Sequence, residues 1–101
     1  MNALVVLQKL RSLIEESKTM DSPFRYGAFA AAKAIVLSLQ RDADRYEMGG
    51  YTLEKLGDLD WHIGAMFDMD DDNGHSADQH RVWALAAIDS LGSDQCFGRE
   101  E

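Results

Sequence analysis

The chain has 101 residues, of which 46% are hydrophobic and 28% charged, and a net charge of −8 at neutral pH. This composition is typical of one globular domain and excludes an intrinsically disordered chain, which would be poorer in large apolar residues. Cys96 is the single cysteine, which excludes an internal disulfide and a cysteine zinc site. No segment approaches the roughly 20 apolar residues that span a bilayer, and no basic residue precedes the N-terminal apolar run, so we expect a cytoplasmic protein.

Two helices are predicted in the first half of the chain. Apolar residues at three- and four-residue spacing predict the first over about 2–18, and the second follows over about 22–48 with Ser22 as its N-cap. Phe24 is expected on the core side of this second helix. Because the stretch 28–39 is apolar almost all round, we expect the second helix to be the central one.

A third helix is predicted over about 52–67, with Thr52 as its N-cap. Its apolar residues again recur at helical spacing. Gly57 and Gly64 lie on one face of it, a pattern that suits a close helix contact better than it suits helix stability.

A fourth helix is predicted over about 76–91, where Ser76 and Gln79 have the spacing of a capping box. Residues 93–101 are expected to form a short C-terminal tail on a domain of residues 1–92. Since strand signals are absent, the sequence predicts an all-α, compact four-helix domain.

The charge is unevenly distributed between the two halves. Residues 1–50 carry seven basic and six acidic residues, whereas residues 51–101 carry three basic and twelve acidic residues. This asymmetry argues against direct binding of nucleic acid or of an anionic membrane by the second half. It is compatible with docking on a basic surface of another protein, although acidic residues also simply keep small proteins in solution.

The acidic segment before the fourth helix matches only some of the ligand positions of an EF-hand calcium loop. Counted from Asp68, the first ligand positions of an EF-hand fit as Asp68, Asp70 and Asp72. The sixth position, which needs glycine, is Asn73, and the twelfth, which needs a bidentate glutamate, is Gln79. We therefore predict a solvated acidic turn and no calcium site.

No other pattern predicts catalysis, a metal or a cofactor. His62, His75 and His80 lack the spacing of zinc ligands, so surface or capping positions are expected for them. Helical projection places Asp60 inside an apolar stripe, and a buried acid can serve as a catalytic base. The expectation is instead a structural acid that pairs with an arginine or with a Trp or Tyr donor, and we expect no catalytic residue, no metal ligand and no cofactor.

Trp61 and Trp83 both fall off the main apolar stripe of their own helix. Either each packs against a second neighbour, or one of them is exposed. An exposed tryptophan beside an acidic patch would resemble a binding hot spot, because the indole supplies a large contact area at little cost in entropy.

These observations favour a non-catalytic module that uses an acidic helical surface to occupy a basic surface of a larger partner. The partner would not be nucleic acid or a membrane. The candidate partner-binding residues are Asp58, Trp61, Asp68, Asp70, Asp71, Asp72, Asp78 and Trp83. A basic surface typically holds nucleic acid, so the predicted effect is inhibition of a nucleic-acid-handling enzyme or complex by charge mimicry.

In size, acidity and lack of a catalytic motif, the chain is similar to small phage-encoded inhibitors, including DNA-mimic and anti-CRISPR proteins. No motif identifies a particular family of them. Two alternatives stay open. One is a homo-oligomeric structural or assembly protein, such as a homodimer, formed through the small residues of the second helix and the two tryptophans. The other, less favoured, is a small enzyme or a metal-binding protein.

Overall fold

A computed structural model of the chain describes residues 3–19, 24–45, 48–69, 71 and 73–92. The helices are α1 (Ala3–Ser17), α2 (Phe24–Arg41), α3 (Gly50–Met66) and α4 (Ala77–Gly92). The predicted all-α four-helix domain is therefore confirmed. The radius of gyration of 13.1 Å is that of a compact domain of this length, which is about 13 Å. The predicted tail, residues 93–101, lies outside the described residues.

The four helices pack as a ring in which each helix contacts the one before and the one after it. α1 packs on α2 and α4, α3 packs on α2 and α4, and the most extensive contact joins α3 to α4. The centre of the ring is a continuous apolar core that includes Leu10, Val36, Leu56, Ile63 and Leu91, all nearly or fully buried. The seam between α3 and α4 is thus the main packing contact between helices.

The structure does not give α2 the central position that the sequence predicts. Its buried residues form one narrow stripe: Ala28, Ala32, Val36 and Leu39. The ring leaves the opposite side of α2 in solvent, because α2 has only α1 and α3 as close neighbours among the described elements. An apolar pattern around a whole helix predicts burial, but it does not supply the neighbours that would bury it.

The end of α2 also differs from the prediction. The helix ends at Arg41, not near residue 48, and the chain continues in turns through Arg45. The Ala43 N–H donates to the Gln40 carbonyl at 3.3 Å, and the Met48 N–H donates to the Ala43 carbonyl at 3.0 Å. Beyond Leu39 the sequence offers charged residues and little to bury, so the helix ends once its buried stripe ends. The predicted Ser22 cap lies outside the described residues.

α3 begins two residues earlier than the sequence predicts. Its N-cap is Gly49, in an extended conformation and without a side-chain cap, and Thr52 is buried inside the first turn instead of capping it. The helix ends where Asp68 adopts a positive φ of 62°. The Met69 N–H donates to the Gly64 carbonyl at 2.8 Å and the Asp68 N–H to the Ala65 carbonyl at 3.1 Å, which together form a Schellman motif.

The predicted cap of α4 is confirmed, since the Ser76 hydroxyl accepts a hydrogen bond from the Gln79 N–H at 3.1 Å. The ring is also joined by polar contacts between helices. Lys33 of α2 forms an ion pair with Asp60 of α3 at 2.8 Å, so Asp60 is a half-buried structural acid, paired with a lysine and not with the predicted arginine or aromatic donor. In the described part of the chain, no helix combines the length and the apolar character needed to cross a bilayer.

Candidate functional site: an aromatic cavity between α3 and α4

Five aromatic rings meet where α3 and α4 pack together. This aromatic cluster consists of Trp61, His62, His75, His80 and Trp83. The ring centroids of His75 and Trp83 are 4.8 Å apart, and those of His62 and His80 are 5.2 Å apart. The cluster forms a second packed layer outside the aliphatic core, and it explains why both tryptophans fall off the apolar stripes of their helices.

Two hydrogen bonds fix the orientation of the cluster. The Trp61 indole Nε1–H donates to the backbone carbonyl of Asp71 at 2.8 Å, which ties α3 to the acidic turn. The Nδ1 atoms of His62 and His80 lie 2.9 Å apart, so one ring donates and the other accepts. Two imidazolium rings would both be donors at this position, and the bond would be lost.

The electrostatic setting favours a neutral His62. Burial lowers the pKa of His62 below its ordinary 6.5, and the neighbouring His80 lowers it further. Asp58 acts in the opposite direction and raises the pKa of His62, whereas Lys55 adds a smaller lowering effect. At neutral pH the ring of His62 is therefore uncharged, with Asp58 and Lys55 as charged neighbours.

The aromatic cluster opens into a cavity of about 450 Å³, called the aromatic cavity below. It is lined by Lys55, Asp58, Trp61, His62, Asn73, His75, Trp83, Ala86, Ala87 and Ser90. Its volume falls in the range of about 300–1,000 Å³ that is usual for ligand pockets. Two large indoles in the lining, with a few polar groups beside them, suit binding through apolar and π contacts.

The structure brings four of the predicted partner-binding residues together at this cavity. Asp58, Trp61 and Trp83 line it, and Asp71 adjoins it through the hydrogen bond to Trp61. Both tryptophans are half-buried, while the two aspartates are exposed. The side chain of Asp71 also accepts a hydrogen bond from the Asn73 N–H at 3.0 Å, which stabilises the turn.

Other predicted residues lie elsewhere. Asp68 is at the end of α3, beside Arg25 and Tyr26 of α2. Asp78 forms an ion pair with Arg81 at 3.2 Å and lines a separate cavity that does not share residues with the aromatic cavity. Asp70 and Asp72 lie outside the described residues.

The sequence interpretation missed the histidines. His80 is fully buried, so the prediction that all three occupy surface or capping positions is wrong for it; His75 is exposed. A signal was present, because His80 lies one turn before Trp83 and His62 directly follows Trp61. Among the described residues no group of three or more His, Cys, Asp or Glu side chains is arranged to hold a metal ion.

A second unusual surface is the side of α2 that faces away from the ring. We call it the outer face of α2; its exposed residues are Phe24, Tyr26, Gly27, Ala30, Ala31, Ala34 and Leu37. Phe24, expected on the core side, is 73% exposed. Of the three cations of α2, Arg25 donates to the Met66 carbonyl and Lys33 pairs with Asp60 of α3, whereas Arg41 is exposed at the last residue of the helix. An uncharged surface therefore extends along most of the helix.

Comparison of the chain with protein-family models, with curated proteins and with solved structures finds no match. The fold and the site define a small four-helix protein with an aromatic cavity at one helix seam and an uncharged outer face on α2.

Proposed function

We propose that this chain is a non-catalytic protein-binding module that docks on a basic surface of a larger partner through the seam between α3 and α4. The observation that carries the proposal is the aromatic cavity, where two half-buried tryptophans stand beside exposed carboxylates. Tryptophans in this setting are the residues that most often dominate binding energy, because they bury a large area with few rotatable bonds.

The contacts of the cavity support this proposal. The indole of Trp61 is held by the Asp71 carbonyl, and Trp83 is held by edge contacts with His75 and His80, whose rings lie at 80° and 79° to it. A surface that is ordered before binding loses less conformational entropy when the partner docks. The cavity can therefore act as a preformed anchor point.

The distribution of charge supports a basic partner. The half of the chain that contains α3 and α4 carries twelve acidic and three basic residues. Such a surface attracts basic proteins over a distance of about 8–10 Å at ordinary salt and repels nucleic acid. A basic protein surface is typically one that binds nucleic acid. The proposed consequence is thus inhibition of a nucleic-acid-handling enzyme or complex in the cytoplasm, without any catalysis.

A gel-shift competition tests the proposal. Basic nucleases and other nucleic-acid-binding proteins would be loaded with labelled nucleic acid and titrated with the chain. Wild type should displace the nucleic acid from its partner, and Asp58→Lys should be at least about tenfold weaker, because a repulsive charge would stand at the cavity edge. Trp83→Ala should weaken displacement as well.

The matched control is Glu16→Lys, which makes the same change of charge at an exposed position on α1. It should stay within about threefold of wild type, since a remote surface charge contributes little to a specific contact. Circular dichroism would confirm that all variants keep their helices. Equal losses for Asp58→Lys and Glu16→Lys would show that only net charge matters and would overturn the proposed docking face, as would the absence of displacement from every candidate.

The outer face of α2 supports a second candidate function, that of a structural or assembly protein that forms a homodimer. Leu37 is 62% exposed and Phe24 73% exposed, and small residues between them would allow two helices to approach closely. Two copies that each carry a net charge of −8 repel one another least where they are uncharged. A symmetric dimer through α2 would leave the aromatic cavity free to bind a partner.

Size exclusion with light scattering tests this second candidate. A dimer would have twice the 11.3 kDa of the chain. Ala31→Glu, at the centre of the outer face of α2, should return it to a monomer, whereas Val82→Glu, at an exposed apolar position on α4, should not. A wild-type chain that stays monomeric at the highest soluble concentration would rule the dimer out.

A further inference from the structure

We propose that the aromatic cavity binds the side chain of an arginine from the partner, with the guanidinium stacked on an indole that lines the cavity and paired with Asp58. This inference rests on the proposed function and names the group that the docking face recognises. It follows from the chemistry of the residues that line the cavity.

The walls of the cavity suit a flat cation. Trp61 and Trp83 both line it, and the face of an indole is the strongest aromatic partner for a cation. The two indoles are fixed by the Asp71 carbonyl and by the neighbouring histidine rings. A guanidinium is planar and weakly hydrated, so it stacks on such a surface at less cost than an ammonium group does.

Asp58 supplies a counter-charge at the edge of the same cavity. Its side chain is exposed and lines the cavity, where its charge also acts on His62. An exposed carboxylate can accept two parallel N–H bonds from a guanidinium, which adds geometric selectivity to the attraction. This is the contact that distinguishes arginine from an uncharged side chain of the same shape.

Lys55 opposes a cation in the cavity. It lines the same space, and its Nζ lies 5.6 Å from the centre of the Tyr51 ring, so it already has an aromatic partner on its own helix. Its charge should weaken the binding of arginine without blocking the cavity. Neutralising Lys55 and neutralising Asp58 must therefore change the affinity for a cation in opposite directions, which an apolar occupant would not produce.

His62 does not add positive charge to the cavity at neutral pH. Burial and the adjacent His80 lower the pKa of His62, and its neutral ring can lie beside a bound cation. The cavity of about 450 Å³ also exceeds one arginine side chain, so it leaves space for the neighbouring residues of the partner.

The test uses N-acetyl-arginine amide and its uncharged isostere N-acetyl-citrulline amide as probes. The chain contains two tryptophans, so its two indole N–H signals in a proton–nitrogen NMR spectrum report on both cavity walls. The arginine probe should shift both signals with a dissociation constant of about 1 mM, as expected for so small a ligand. The citrulline probe should bind at least about fivefold more weakly.

Two charge variants make the test specific. Asp58→Asn should weaken the binding of the arginine probe at least about threefold, and Lys55→Gln should strengthen it about two- to threefold. Their matched controls are Asp44→Asn and Lys9→Gln, which make the same changes of charge at exposed positions outside the cavity and should leave the affinity unchanged. All four positions are polar and at least partly exposed, so none of these variants should unfold the chain.

Equal affinity for the two probes, indole signals that do not move, or a change of the same sign for both cavity variants would overturn the inference. These outcomes are separable from those of the gel-shift competition. If Asp58→Lys abolishes inhibition while the arginine probe does not bind, the docking face stands and its recognition group is wrong. If the arginine probe binds while no partner is displaced, the cavity is a cation site and the proposed inhibition is wrong.

Discussion

The seam between α3 and α4 and the outer face of α2 both carry large apolar or aromatic side chains outside the aliphatic core, with opposite results. At the seam Leu59 is fully buried, and the surplus rings pack on one another in a second layer. On α2, Leu37 is 62% exposed, and Phe24 and Tyr26 are exposed as well. The neighbouring helix accounts for the difference, because α4 packs against the rings of α3, whereas the outer face of α2 points away from α1 and α3, the helices on which α2 packs.

The largest expected difference between the two regions is in the cost of removing a leucine. Leu59→Ala should lower the free energy of unfolding by about 2–5 kcal/mol, because it leaves a cavity in a packed core. Leu37→Ala should change it by less than about 0.5 kcal/mol, since the side chain is mostly in solvent. Urea unfolding followed by circular dichroism measures both values, and both variants should retain the same dependence on denaturant concentration.

A loss of more than about 1 kcal/mol of unfolding free energy in Leu37→Ala would contradict the expectation that Leu37 is mostly in solvent. The same measurement at several protein concentrations would then be needed, because a dimer through α2 makes stability depend on concentration. A loss of unfolding free energy that grows with protein concentration would mean that a second copy buries the outer face of α2. A concentration-independent cost would mean that the monomer itself covers Leu37.

A glycine on each helix gives a smaller, matched comparison. A Cβ added at Gly27 or at Gly57 would meet nothing within 4 Å, so the close contact that the sequence suggested for Gly57 is not made in the monomer, although Gly64 is buried. Each glycine to alanine change should stabilise its helix by about 0.5–1 kcal/mol. Thermal unfolding of Gly27→Ala and Gly57→Ala measures both.

The two glycines should behave differently only if a second copy packs on α2. In that case the gain in stability from Gly27→Ala would disappear as protein concentration rises, because the added methyl group would hinder the close approach of two α2 helices. The gain from Gly57→Ala would not change with concentration. Equal gains at every concentration would argue against a close contact at Gly27.

The smallest expected effect is a pH dependence of the free energy of unfolding that arises at the seam and not at the outer face of α2. Burial and His80 hold the pKa of His62 below 6.5, so the unfolded chain takes up a proton more readily than the folded one. The corresponding stability is fully present above about pH 6.5 and is lost as pH falls through the lowered pKa of the folded state. The outer face of α2 contains no histidine and should not respond in this range.

His62→Gln checks this effect. The loss of unfolding free energy between about pH 7.5 and pH 5.5 should be larger in wild type than in the variant, since glutamine does not titrate. The carboxylates common to both proteins cancel in this difference. A steeper pH dependence in the variant would mean that the folded state favours the charged form of His62, contrary to its position beside His80.

Part of the candidate site could be predicted from the sequence. Helical projection placed Trp61 and Trp83 off the main stripes, and the imbalance of charge pointed to the half of the chain that contains them. The separation of Asp68 and Asp78 from the cavity could not be foreseen, because a cluster of acids along the chain spreads over different sides once a helix begins at Ala77. The pairing of His62 with His80 joins residues 18 positions apart on different helices, which no local pattern specifies.

The sequence by itself determined what each segment is. Periodic apolar residues made four helices, Ser76 capped the last, and twelve of the 18 acidic residues lie in the second half. Only the tertiary structure decided which surfaces are covered. A periodic pattern states which residues share one face of a helix, but burial requires a neighbour, and the ring of helices supplies one for the aromatic rings of α3 and none for the outer face of α2.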